Sequence, residues 1–94
     1  MAGYATSLVG KWHLASNIRQ ANDAWPTRRG FDHFYGTLAG SCSYFQPASL
    51  TRGELNVEAE ATAQPDYYYT DAITQEACAF VREQSLVNKP FFMY

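Results

Sequence analysis

Lys11 and His13 flank a single tryptophan in the string Gly3-Tyr-Ala-Thr-Ser-Leu-Val-Gly-Lys-Trp-His-Leu14. A lysine ammonium is a fixed positive charge with three donors and suits the oxygens of a sulfate or phosphate group. A histidine two residues on can titrate near neutral pH and so can move a proton. By residue type alone a Lys-x-His pair at a strand end is more often solvated surface than a site. Open α/β sheets, however, bind ligands outside the carboxyl ends of their strands, which is where this pair would lie.

The elements around the pair can be read from local patterns. Gly3 suits the left-handed position beyond a helix, so Met1 to Tyr4 reads as a helix tail. Ala5 to Val9 is a short strand of β-formers, and Gly10 frees the backbone to bring Lys11 close to a ligand. If the chain stays extended, residues i and i+2 share a side, which places Lys11 and His13 on one face about 6 to 7 Å apart. Trp12 and Leu14 then anchor the other face.

Downstream, Ile73, Ala77, Phe80 and Val81 fall at i, i+4, i+7 and i+8, predicting a helix from about Asp71 to Gln84. Thr70 is the expected cap, Asp71 and Glu76 favour the positive end of the dipole, and Asn88 supplies a stop. Phe91 to Tyr94 is an apolar run of the kind buried in a parallel sheet. Strand, insertion, helix, strand makes an α/β chain with one βαβ unit, whose crossover should be right-handed.

The insertion, Ala15 to Tyr69, is crowded with Gly, Pro, Asn, Asp and Ser and is read as long and irregular. Trp25-Pro26 favours extended backbone, Arg28-Arg29-Gly30 a turn, and Leu50 to Val57 a hairpin about Arg52-Gly53. Phe31, Phe34 and Tyr35 are expected anchors around Asp32 and His33. His33 reads as a packed or surface histidine, Asp32 as a partner for backbone N–H groups, and Tyr67 to Tyr69 as packing at the start of the helix. Glu58 to Gln64 is small, acidic and expected to be exposed.

Composition narrows the classes. A formal net charge of −2 over 94 residues suggests neither a nucleic-acid surface nor a polybasic membrane patch. No apolar run reaches the length of a membrane-spanning helix. Cys42 and Cys78 are too few for a disulfide framework and show no zinc spacing with His13 or His33, so they are read as unpaired thiols. Seven tyrosines and six phenylalanines exceed what so small a core can easily hide.

The string GYATSLVGKWHL closely resembles the second signature of the type I sulfatases, the arylsulfatase-like hydrolases of the alkaline phosphatase superfamily, GYxTxxxGKWHLG. Arg29-Gly-Phe-Asp-His-Phe-Tyr-Gly36 resembles their RGFDxFxG. Tyr68-Tyr-Thr-Asp-Ala-Ile-Thr74 with Lys89-Pro-Phe-Phe-Met-Tyr94 resembles YxTDxxTDxAxxFI…KPFFLY, and the three matches keep the family's order. Ala15 stands where the family usually has glycine.

The resemblance implies that residues 1–94 are a partial catalytic domain, truncated at both ends, of a sulfuric ester hydrolase acting on a sulfate-ester small molecule or a sulfated glycan. It implies catalytic and substrate-binding roles for Lys11, on the sulfate, and His13, on the proton. It implies a formylglycine nucleophile made from a CxPxR motif, and a Ca²⁺ held by Asp and Asn side chains. No such motif occurs here, since Cys42-Ser-Tyr-Phe-Gln lacks its proline and arginine, so both groups must come from elsewhere and the 94 residues alone should be inactive. It further implies a periplasmic, secreted or lysosomal location. Two other readings stay open: a noncatalytic anion-binding or interaction module, and a phosphate or phosphonate ester hydrolase of the same superfamily.

Overall fold

The structure, a computed structural model, describes residues 3–94. Strand β1 (Ala5–Lys11) is followed by a 3-10 turn (Pro26–Arg28), β2 (His33–Thr37), β3 (Leu50–Arg52) and β4 (Leu55–Asn56). A short helix α1 (Glu58–Thr62), the long helix α2 (Tyr69–Leu86) and β5 (Phe91–Met93) complete the chain. The strands form one sheet in the order β4-β3-β2-β1-β5.

The βαβ unit is present: β1 and β5 are parallel neighbours, with Ala5 opposite Phe91 and Ser7 opposite Met93, and α2 packs on both. The apolar run from Phe91 to Tyr94, expected to be buried, is instead exposed at Phe91, Phe92 and Tyr94, because β5 is an edge strand of the sheet. The insertion is more regular than its composition suggests. It carries β2, parallel to β1 with Ser7 opposite His33 and Lys11 opposite Thr37, and the antiparallel β3 and β4. The expected hairpin within residues 50–57 is present, its turn one residue later than the expected centre, at Gly53 and Glu54, with Gly53 at φ 64°. Trp25 is extended (ψ 153°) before Pro26. Gly3 has the expected left-handed φ of 79°, while the helix tail expected before it falls partly outside the described residues.

Strand β2 escapes a reading by composition because Gly36 interrupts it. That glycine has a packing reason. It lies opposite Gly10, and a Cβ built on it would fall 1.7 Å from the Gly10 carbonyl oxygen.

Alternation along β1 and β2 divides two cores. On one face Tyr35, Leu50, Val57, Ala61, Tyr67 and Tyr69 cluster, with Val9, Ala72 and Ile73 against them. On the other, Leu8, Trp25, Phe34 and Leu38 are covered by Trp12, Ile18 and Phe31. The 15–31 segment is thus a covering layer, tied by the Trp12 and Trp25 indole N–H groups, which donate to the Ala24 and Asn17 carbonyls at 2.8 Å.

Helix α2 begins earlier and is rotated from expectation. Tyr69, Phe80 and Gln84 are its buried residues, whereas Val81, expected in the core, is 36% exposed. Thr70 does not cap it; the Tyr69 N–H donates instead to the Tyr44 carbonyl at 2.7 Å, a partner remote in sequence. Its end is as expected: Asn88 has φ 52°, and the Asn88 and Lys89 N–H groups donate to the Ser85 and Gln84 carbonyls. Residues 58–62 form helix α1 rather than a fully exposed stretch, burying Ala61. Arg52 pairs with Glu60 of α1 and Glu76 of α2 and lies 4.8 Å from the Tyr35 ring centroid.

Asp32 links the start of β2 to β1. Its carboxylate accepts the Thr6 N–H at 3.0 Å, while the Thr6 hydroxyl accepts the Asp32 N–H at 2.9 Å and donates to the Gly30 carbonyl at 2.7 Å. The Thr6 N–H holds the Asp32 carboxyl below its ordinary pKa. Because the folded-state pKa is depressed, this contribution is present above the ordinary carboxylate value and is lost as pH falls below about 4. Asp32→Asn should flatten that acid limb in pH-dependent denaturant melts. Gly36→Ala, which drives a methyl into backbone, should cost at least the about 1–3 kcal/mol typical of overpacking, read from the denaturation midpoint.

Candidate active site

Lys11 is the last residue of β1, and its neighbour across the sheet is Thr37, the last residue of β2. Both strands are parallel, so their carboxyl ends open at the same edge, the position at which such sheets bind ligands. The side chain of Lys11 is exposed, whereas Thr37 is buried. The Thr37 N–H donates to the Tyr69 hydroxyl at 3.0 Å, which fixes the start of α2 against this end of the sheet. Burial pushes the Tyr69 hydroxyl above its ordinary pKa, so it stays a neutral partner.

Pairing continues one step past β1. The Trp12 and His13 N–H groups donate to the Thr37 and Leu38 carbonyls at 2.9 and 3.0 Å. Extended backbone then ends, because His13 has φ 62°. The expected i, i+2 alternation therefore does not carry through His13, and the anchoring expected of Leu14 is not found: Leu14 is 71% exposed. Trp12 does anchor. Its ring is half-buried and meets Phe31 edge-on at 6.3 Å, besides the indole bond to Ala24.

The His13 imidazole instead lies against Gly40. A Cβ built on Gly40 would come within 2.5 Å of His13 Cε1 and Nε2. Gly40 is thus a seat for the ring, and it was missed in the sequence; the available signal was an isolated glycine in a loop, which often marks close approach of a backbone to another group. Lys11 and His13 are brought to one edge of the sheet, exposed, on a backbone fixed by the Thr37 and Leu38 carbonyls, with the His13 ring against Gly40.

The remaining candidates lie elsewhere. His33 sits at the other end of β2 and packs edge-on to Phe80, ring centroids 5.4 Å apart. Tyr67 and Tyr69 are buried, and the Tyr35 and Tyr67 hydroxyls are 3.0 Å apart. Cys42 and Cys78 are free thiols. Among the described residues no three His, Cys, Asp or Glu side chains converge as a metal site would require.

The sulfatase family model, described simply as Sulfatase, matches residues 1–94. An uncharacterized sulfatase, YdeN, of Escherichia coli K12 is 32% identical over 98% of this chain, and the chain covers 19% of it. An arylsulfatase of Hemicentrotus pulcherrimus is 34% identical over 99% of this chain, and again 19% of it is covered. A crystal structure of Ps i-CgsB superimposes with a TM-score of 0.76 and 28% identity, over 97% of this chain and 23% of that one. The chain spans about a fifth of the length of these curated relatives.

Gly40→Ala should displace the His13 ring without unfolding the chain, because the atoms a methyl would meet are the end of a movable side chain. The expected outcome is a changed set of His13 ring resonances in ¹H–¹⁵N spectra, with a denaturation midpoint close to that of the unaltered protein.

Proposed function

The chain belongs to the sulfatase family, and from that premise we propose that it forms part of a sulfuric ester hydrolase in which Lys11 and His13 act on the transferring group. The observation that supports the reading is that Lys11 ends β1 and His13 follows it two residues on, paired to the Leu38 carbonyl, at the carboxyl edge of the parallel strands β1 and β2. The substrate is a sulfate ester of a small molecule or a glycan.

The residues present do not themselves provide the other groups such an enzyme uses. The sequence holds no Cys-x-Pro-x-Arg or Ser-x-Pro-x-Arg string, and no metal cluster is found among the described residues. A formylglycine nucleophile and Ca²⁺ would therefore be supplied by segments outside these 94 residues.

What this chain contributes is charge and a proton path. Lys11 places an ammonium against the sulfuryl group, where it offsets the negative charge that builds on the bridging oxygen as the S–O bond breaks. A preorganised group of this kind is most effective where it need not move to respond, and the β1–β2 pairing supplies that rigidity. His13, held at Gly40, accepts or returns a proton at the reacting oxygen. Trp12 between them holds the backbone through Phe31 and the Ala24 carbonyl.

The test uses the full-length protein that carries this segment. Lys11→Ala should lower turnover of an aryl sulfate by about 10² to 10³. His13→Ala should lower it by about 10² to 10⁴ and alter the pH profile. Neither should shift the melting temperature appreciably, since both side chains are exposed. Trp12→Ala should instead destabilise, by about 3 kcal/mol, with activity falling through unfolding. Near-normal turnover in both Lys11→Ala and His13→Ala would overturn the assignment.

A further inference from the structure

Among the described residues, three that are not glycine have positive φ. Asn88 ends α2. The other two, His13 at 62° and Ser49 at 59°, meet at a single peptide group, the one between Leu38 and Ala39. At one end of that group the Leu38 carbonyl accepts the His13 N–H at 3.0 Å. At the other, the Ala39 N–H donates to the Ser49 hydroxyl at 3.0 Å. A peptide unit is planar, so fixing its N–H end fixes the direction of its carbonyl. The next residue along is Gly40, against which the His13 ring lies.

Each polar group of Ser49 has a partner. The residue is buried, its N–H donates to the Glu58 carboxylate at 3.0 Å, and its carbonyl accepts the Thr51 hydroxyl at 2.9 Å and the Leu38 N–H at 3.4 Å. The Asn56 side-chain amide holds the same Glu58 carboxylate at 2.7 Å. Serine is not among the residues that favour the left-handed region, and such a conformation persists only where contacts over-determine it. A glycine would adopt φ 59° without steric cost. What the serine adds is the hydroxyl, and that hydroxyl is spent on the peptide that holds His13.

We propose that Ser49 is a positioning residue for His13, acting through the Leu38–Ala39 peptide to fix both the backbone N–H of the histidine and the seat of its ring, an inference that rests on the hydrolase reading above. Ser49 is asked for no chemistry of its own. A proton carrier displaced from its place loses alignment with the reacting oxygen, so the loss belongs to the chemical step.

The experiment is a double-mutant cycle in the full-length protein, with 4-nitrophenyl sulfate as substrate and Ser49→Gly, His13→Ala and their combination compared. Ser49→Gly removes the hydroxyl yet accepts the backbone conformation, so the chain should fold. In the unaltered background it should lower kcat by about tenfold to a hundredfold. In the His13→Ala background it should cost nothing further, because the group it positions is gone. A merely structural role would lower kcat equally in both backgrounds. That additive result, an unchanged kcat in Ser49→Gly, or failure of Ser49→Gly to fold would overturn the positioning role, while the hydrolase reading stands on the loss in His13→Ala. If His13→Ala keeps near-normal turnover, or the unaltered protein does not hydrolyse the ester, the hydrolase reading fails and this inference with it.

Discussion

Parallel pairing of β1 with β2 is the constraint on which the rest of the molecule depends. The two strands meet at Gly10 and Gly36, where a side chain on Gly36 would occupy the space of the Gly10 carbonyl. β1 is also paired with β5 on its other edge, so the strand that carries Lys11 is the central one of the parallel trio. Central strands open only with large parts of the fold, and a side chain placed at the end of one inherits that rigidity. Polar groups at the strand end can then act on charge without first reorganising.

The two faces of this pairing are filled by different means. One is covered by a coil segment, and a coil can cover a core only if its polar groups find partners; the indole bonds to Ala24 and Asn17 and the side-chain bonds of Asn17 and Asn22 serve that need. The other is covered by α2 and contains phenol groups. Those of Tyr35 and Tyr67 meet each other, and that of Tyr69 meets Thr37. Burial raises the Tyr67 hydroxyl well above its ordinary pKa, with the Tyr35 hydrogen bond adding to the effect. Among the described residues no buried side-chain polar atom is left without a partner, which matters because an unmade bond there would cost about 1–3 kcal/mol.

Local signals were legible where physics is local. The β1 strand, the α2 helix, its Asn88 stop, the extended Trp25 and the hairpin within residues 50–57 follow from propensity, periodicity and turn chemistry. Lys11 and His13 can be picked out as a motif at a strand end, but their expected shared face cannot, because the left-handed conformation of His13 ends the alternation. The parts that were not legible depend on distant partners. Strand β2 is hidden because Gly36 looks like a breaker until Gly10 is placed opposite it. The cap of α2 is a carbonyl from Tyr44, so the hydroxyl of Thr70 is a misleading signal. The exposure of Val81 follows from a helix orientation set by Tyr69, Phe80 and Gln84 rather than by the apolar positions alone.

The conformation of His13 shows why alternation fails at the proposed site. A non-glycine residue at φ 62° is uncommon, although histidine tolerates it better than most, and the left-handed region costs roughly 1–2 kcal/mol. Such a conformation persists only where surrounding contacts over-determine it. Here the N–H bond to Leu38 fixes the entering backbone, and the absence of a side chain on Gly40 opens the space that the imidazole fills. A strand continuing in extended form would place Leu14 with Trp12 in the core. The turn at His13 gives up that burial and redirects the ring along the rim formed by β1, β2 and the loop after β2. The cost in apolar burial at Leu14 and in backbone strain at His13 is thus spent on direction: the imidazole is held at a defined place on the same edge as the lysine, which residue spacing alone does not achieve.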